Sequence, residues 1–115
     1  MSDLKNIQIQ LRDFANERDW DQFHSPKNLS MALIGEVGEL LEHFQWLTEE
    51  QSKNLEADAK TEVAEELADI FIYLVRLADK LDIDLVTAAE FKIKKNAIKY
   101  PIKKSSGKAT KYNKL

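Results

Sequence analysis

Apolar residues recur at three- and four-residue intervals along almost the whole chain, the period of helices with one buried face. In DLKNIQIQLRDFANER (residues 3–18), Leu4, Ile7, Leu11, Phe14 and Ala15 share such a face. A break follows at WDQFHSPKN, where Ser25-Pro26 reads as N-cap and first residue of a second helix. This helix is expected to run through Leu47, with Leu29, Leu33, Ile34, Val37, Leu40, Leu41 and Phe44 as its stripe. TEEQSKNLEAD is polar and suits a loop or a short helix. From about Asp58 to Leu81 lies the most apolar helix. DID makes a corner, and a last helix runs from Leu85 to about Lys99, where Tyr100-Pro101 stops it. No convincing strand-like alternation or internal repeat interrupts the pattern. The expected fold class is all-α, a bundle of about four helices per chain.

The helix ending at Leu81 is apolar beyond one face. Val63, Leu67, Ile70, Leu74, Leu77 and Leu81 define a stripe, which Ala64, Ala68, Phe71, Ile72 and Val75 widen past half the circumference. A surface helix needs an apolar arc of roughly 100°. Cover on two sides is therefore expected, from the rest of the chain and from a second copy; a helix threading the centre of a monomer is the alternative. We expect a homo-oligomer, with residues 1–102 as one domain and 103–115 as a basic tail.

Composition narrows the class. The chain of 115 residues is 43% apolar and 32% charged, as globular proteins are, and it has no cysteine. Disulfides, thiolate metal sites and thiol chemistry are excluded. No apolar run approaches the ~20 residues of a membrane span, and MSDLKNIQ lacks a signal-peptide pattern. A cytoplasmic protein with no membrane partner is expected. Residues 92–115 hold nine lysines and no acid, so all 20 acidic groups lie before them. Such a tail is either solvated or set near something anionic. A nucleic-acid partner is not expected, because the acidic body would repel it and no recognition motif appears.

Two glycines in GEVGELLEHFQW stand in a helix interior, where each costs about 1 kcal/mol relative to alanine. Beside them Glu36 and Glu39 are helical neighbours, three residues apart. On the next long helix Glu66 and Asp69 repeat that spacing, on a polar strip shared with Glu62, Tyr73 and Arg76. If the strips face each other, four carboxylates converge and need a cation. Oxygen-only ligation favours magnesium, manganese or calcium, and carboxylates plus water and substrate phosphates are the magnesium habit. Gly35 and Gly38 would let a backbone or ligand approach beside the acids. Ordinary solvated acidic strips are the competing explanation. A di-iron bundle would require Glu-x-x-His, but Leu40 and Asp21 precede His43 and His24 at that spacing.

EVGELLEHFQW, EELADIFIYLVRLADKLDIDL and KKNAIKYP together resemble the all-α nucleoside triphosphate pyrophosphohydrolases of the MazG-like superfamily, and within it the dCTP pyrophosphatase family. The resemblance spans nearly the whole chain. It implies hydrolysis between the α- and β-phosphates, giving a monophosphate and pyrophosphate, with Mg²⁺ as cofactor and Glu36, Glu39, Glu66 and Asp69 as its catalytic ligands. It implies a base and sugar pocket from Trp20, Asp21, Gln22, Phe23, His24, Trp46 and Tyr73. It sets Lys92, Asn96 and Tyr100 toward the triphosphate, with Lys108 and Tyr112 of the tail folding over it. Dimers or tetramers and a house-cleaning task on dCTP or modified pyrimidine dNTPs are implied too. Animal members carry a histidine where this chain has Leu11, which leaves the choice of base and sugar open. Related families act on dUTP or phosphoribosyl-ATP, and a non-enzymatic oligomerisation module is the rival outside catalysis.

Overall fold

The protein is described by a computed structural model covering residues 2–115, and it is helical without strands among those residues. Helix α1 spans Asp3–Glu17 and is N-capped by the Ser2 hydroxyl, which accepts from the Lys5 amide at 3.2 Å. Arg18 ends it, and Asp19 turns the chain through a left-handed conformation (φ 55°), a region that Asp tolerates better than bulky residues. A 3₁₀ turn at Asp21–Phe23 follows. Helix α2, Pro26–Glu42, starts as its sequence predicts, with the Ser25 hydroxyl accepting from the Asn28 amide and Pro26 in its first turn.

The far end of α2 differs from expectation. Helical geometry stops at Glu42, and residues 43–47 continue as turns built largely from three-residue hydrogen bonds. Short helix α3, Glu49–Lys53, then begins with a capping box in which Thr48 and Gln51 satisfy each other's backbone. This strong new start fixes the segment after Leu47 and leaves α2 no continuation. Helix α4, Ala57–Lys80, is the longest. Its C-terminus passes to Asp82, again left-handed (φ 53°).

The contacts divide the chain into residues 1–82 and 83–115. In the first unit α2 packs along α4, and α1 meets α4 and the 3₁₀ turn. Its buried apolar residues are few: Ala15, Leu29, Val63, Val75 and Ala78. The single stripe expected on α2 is split. Leu29 is buried and Leu33, Leu40 and Phe44 half-buried, whereas Ile34, Val37 and Leu41 are exposed.

The second unit contains α5, Leu85–Lys99, capped by Asp84, and α6, Ile102–Ser105. A last 3₁₀ turn at Tyr112–Lys114 brings Tyr112 edge-on to Tyr100, with centroids 6.2 Å apart, and beneath the Lys99 ammonium.

Candidate active site

Three helical carboxylates meet in the first unit. One oxygen from each of Glu36, Glu39 and Glu66 lies within 4.8 Å of the others. The three-residue spacing on α2 brings the first pair together, and the packing of α2 on α4 adds Glu66. Glu36 is pushed up to about 7, first by burial, then by the close approach of the Glu39 carboxyl and the charges of Glu39, Asp69 and Glu66. Glu66 is raised too, again first by burial and then by Glu39. Oε2 of Glu36 and Oε2 of Glu66 are both buried without a hydrogen-bond partner. Orphaned carboxylate oxygens in a like-charged cluster are expensive, and a hard divalent cation with oxygen preference removes that cost. The donor set therefore fits a divalent metal. His43 stands at the rim, with Nε2 3.8 Å from Glu66 and Nδ1 3.8 Å from Glu62.

Beside the acids opens a cavity of about 290 Å³, lined by Glu36 and Asp69 together with Trp20, His24, Tyr73 and Arg76, and by apolar side chains including Leu11 and Phe14. Trp20 packs edge-on to Phe14 at 5.8 Å. Glu36 and Asp69 thus belong to the cavity wall, and Tyr73 stands on α4 one turn beyond Asp69.

Other expected residues of the first unit are not in this lining. Asp21 does not line the cavity; its carboxylate pairs with Arg76 and Lys80, which hold it below the usual carboxylate range, Lys80 foremost. Gln22 donates to Asp19, and the Phe23 carbonyl accepts from Asn28; neither side chain reaches the cavity lining. Trp46 is 84% exposed and outside the lining, because α2 ends four residues before it. Lys92 and Asn96 are on α5 and Tyr100 is its C-cap, all in the second unit. Leu11, whose position the resemblance tied to the choice of base and sugar, is in the lining, and Phe14, Ala15 and Ile72 join it without having been expected there; their helical spacing marked them only as apolar. Arg76 is the larger surprise, since it is buried although it sits on the polar strip.

Comparison with known proteins gives the family. The model of the MazG-like family matches residues 34–115. The chain belongs to the MazG-like family. It is 46% identical over 114 residues to dCTP pyrophosphatase 1 of Bos taurus, covering 97% of this chain and 68% of that protein. The Homo sapiens dCTP pyrophosphatase 1 is 41% identical, with 97% and 67% covered. A crystal structure of a pyrophosphatase from Archaeoglobus fulgidus superposes with a TM-score of 0.83 at 38% identity, over 88% of this chain and 94% of that one. The MazG-like match begins just before Gly35 and so takes in both carboxylate pairs.

Proposed function

We propose that this MazG-like protein hydrolyses nucleoside triphosphates to monophosphate and pyrophosphate, with Mg²⁺ as cofactor and dCTP or a modified pyrimidine dNTP as substrate. The observation that carries the reading is one continuous site: three converging carboxylates, two with orphaned oxygens, beside a cavity that has aromatic walls. The names of the relatives supply the substrate class.

Glu36, Glu39, Glu66 and Asp69 would hold the metal. A divalent cation bound there would supply charge neutralisation for the phosphate oxygens and acidify a water. Water adds to the α-phosphorus as the bond from that phosphorus to the bridging oxygen breaks, and pyrophosphate leaves with that oxygen. Such chemistry asks the protein for positioning and electrostatics. Trp20, His24 and Tyr73 orient the nucleoside, with an indole face able to stack on a base. The triphosphate role of Lys92, Asn96 and Tyr100 rests on the family resemblance alone. We assign the reaction to the cytoplasmic nucleotide pool, on free nucleotides; no helix among the described residues is long and apolar enough to cross a membrane.

The test is product analysis over common and modified dNTPs with Mg²⁺, dUTP and phosphoribosyl-ATP included. Monophosphate and pyrophosphate are expected, with dCTP or a modified cytosine nucleotide preferred. Glu39→Gln and Asp69→Asn should each lose turnover while keeping a wild-type circular dichroism spectrum. Wild-type rates in both variants would falsify the metal assignment.

A further inference from the structure

Arg76 is 4% exposed and lines the cavity. A guanidinium has five N–H donors and no acceptor. Nη2 donates to Asp21 Oδ1 at 3.0 Å and to His24 Nδ1 at 3.2 Å. Nη1 comes no closer than 3.8 Å to Asp79 Oδ2, beyond hydrogen-bonding range. That carboxylate is already held by Arg12 at 2.7 and 2.6 Å and by Gln8 at 2.9 Å. Nε is buried and has no partner at all. A buried cation with idle donors in a ligand cavity calls for an acceptor.

The usual nucleotide partner of an arginine is phosphate, and position argues against that here. Arg76 follows Asp69 by two helical turns on one strip of α4, about 10 Å along the axis, with Tyr73 between them. If the acids and their metal hold the phosphates, Arg76 stands at the other end, with Trp20 and His24. The histidine fits the same pattern. Its Nδ1 accepts from Arg76, so the neutral ring carries its proton on Nε2. Burial, and next the Arg76 charge, hold His24 below its usual value and keep the ring neutral. Leu11 in the wall adds no polar atom. The polar groups at this end are therefore donors, Arg76 N–H and His24 Nε2–H, set in an otherwise apolar wall.

We infer that Arg76 reads the base: its free N–H groups donate to the acceptor edge of cytosine, N3 and O2, and select against thymine and uracil, whose N3 carries a proton. The inference rests on the proposed triphosphate hydrolysis and adds the residue that chooses the base. Asp21 and Lys80 serve as supports, since the Asp21 carboxylate fixes the guanidinium plane and Lys80 shares that carboxylate.

The experiment compares kcat/KM for dCTP, dTTP and 3-deaza-dCTP, in which N3 is replaced by C–H. Wild type, Arg76→Lys and Arg76→Met are measured, with Mn²⁺ affinity followed by electron paramagnetic resonance. Wild type should favour dCTP over the 3-deaza analogue by about tenfold or more, on the scale of a specific base contact. Arg76→Met should erase that gap and lower the dCTP-to-dTTP ratio by about tenfold, with Mn²⁺ affinity unchanged; Arg76→Lys should retain part of the ratio. A purely structural arginine would depress all three substrates alike, and an unchanged ratio overturns the inference. If Arg76→Met does not fold, wild type decides: equal efficiency with dCTP and 3-deaza-dCTP overturns it. Hydrolysis of dCTP without sensitivity to N3 removes only the base reading. No hydrolysis of any triphosphate removes both this and the proposed function.

Discussion

At the scale of one residue, Glu36 shows what crowding carboxylates together does to a single titration. Its carboxyl is pushed from an ordinary 4.5 to about 7, so the folded state binds a proton that the unfolded chain has released. Such a group contributes stability fully below its unfolded value and loses it as pH rises through the folded one. With chelator present, the melting temperature should fall between about pH 4.5 and 7. Asp21 and Asp79 are lowered instead, and their contribution is lost only at more acidic pH, outside this window; His24 is lowered too and acts in the opposite sense just below its usual value, so His24→Gln should deepen the fall. Mn²⁺ or Mg²⁺ should abolish the fall, and Glu36→Gln should shrink it to the part that Glu66, also raised, contributes. A melting temperature flat across that range in chelator would contradict the assignment. Arg76 marks the limit of reading single residues from sequence. Its place on the strip with Glu66, Asp69 and Tyr73 was legible, but its burial depends on Asp21 and His24 arriving from a distant turn.

At the scale of the element, the helices carried by strong local signals were legible and those decided by competition were not. Periodicity and the Tyr100-Pro101 stop located α5, and Ser25-Pro26 located the start of α2. Ser25→Ala should cost about 1 kcal/mol, measurable by urea denaturation, and should loosen the turn that carries His24. An unchanged unfolding midpoint would show that Pro26 alone suffices. The end of α2 was misjudged because HFQWL has apolar residues at helical spacing and neither proline nor glycine. What decides it is the Thr48–Gln51 capping box downstream, whose reciprocal hydrogen bonds favour a new helix. The carboxylate pairs were legible because three-residue spacing is geometry within one helix. Their meeting across α2 and α4 followed from the expectation that the polar strips face each other. Trp46 falls beyond the end of α2, so its exposure followed from the capping box and not from the helical spacing.

The whole molecule is short of cover. Met31, Ile34, Gly35, Gly38 and Leu41 make one exposed line on α2, and Leu67, Phe71 and Leu74 are exposed on α4. A Cβ at Gly35 or Gly38 would meet nothing within 4 Å in this chain, so the two glycines make room for nothing inside it. We assign that room to a second copy. Gly38→Leu should then favour monomers in light scattering, whereas on a free surface it would only strengthen the helix, by about 0.8 kcal/mol. A wild-type monomer at micromolar concentration would sink the proposal. The chain's two tryptophans (Trp20 in the cavity wall and Trp46 out in solvent) also give it a pair of optical reporters. Iodide should quench the Trp46 emission more strongly than that of Trp20. Nucleotide should shield Trp20, and self-association close to the α2 terminus would shield Trp46. Fluorescence of the unlabelled protein can thus follow ligand entry and assembly as separate signals in one cuvette.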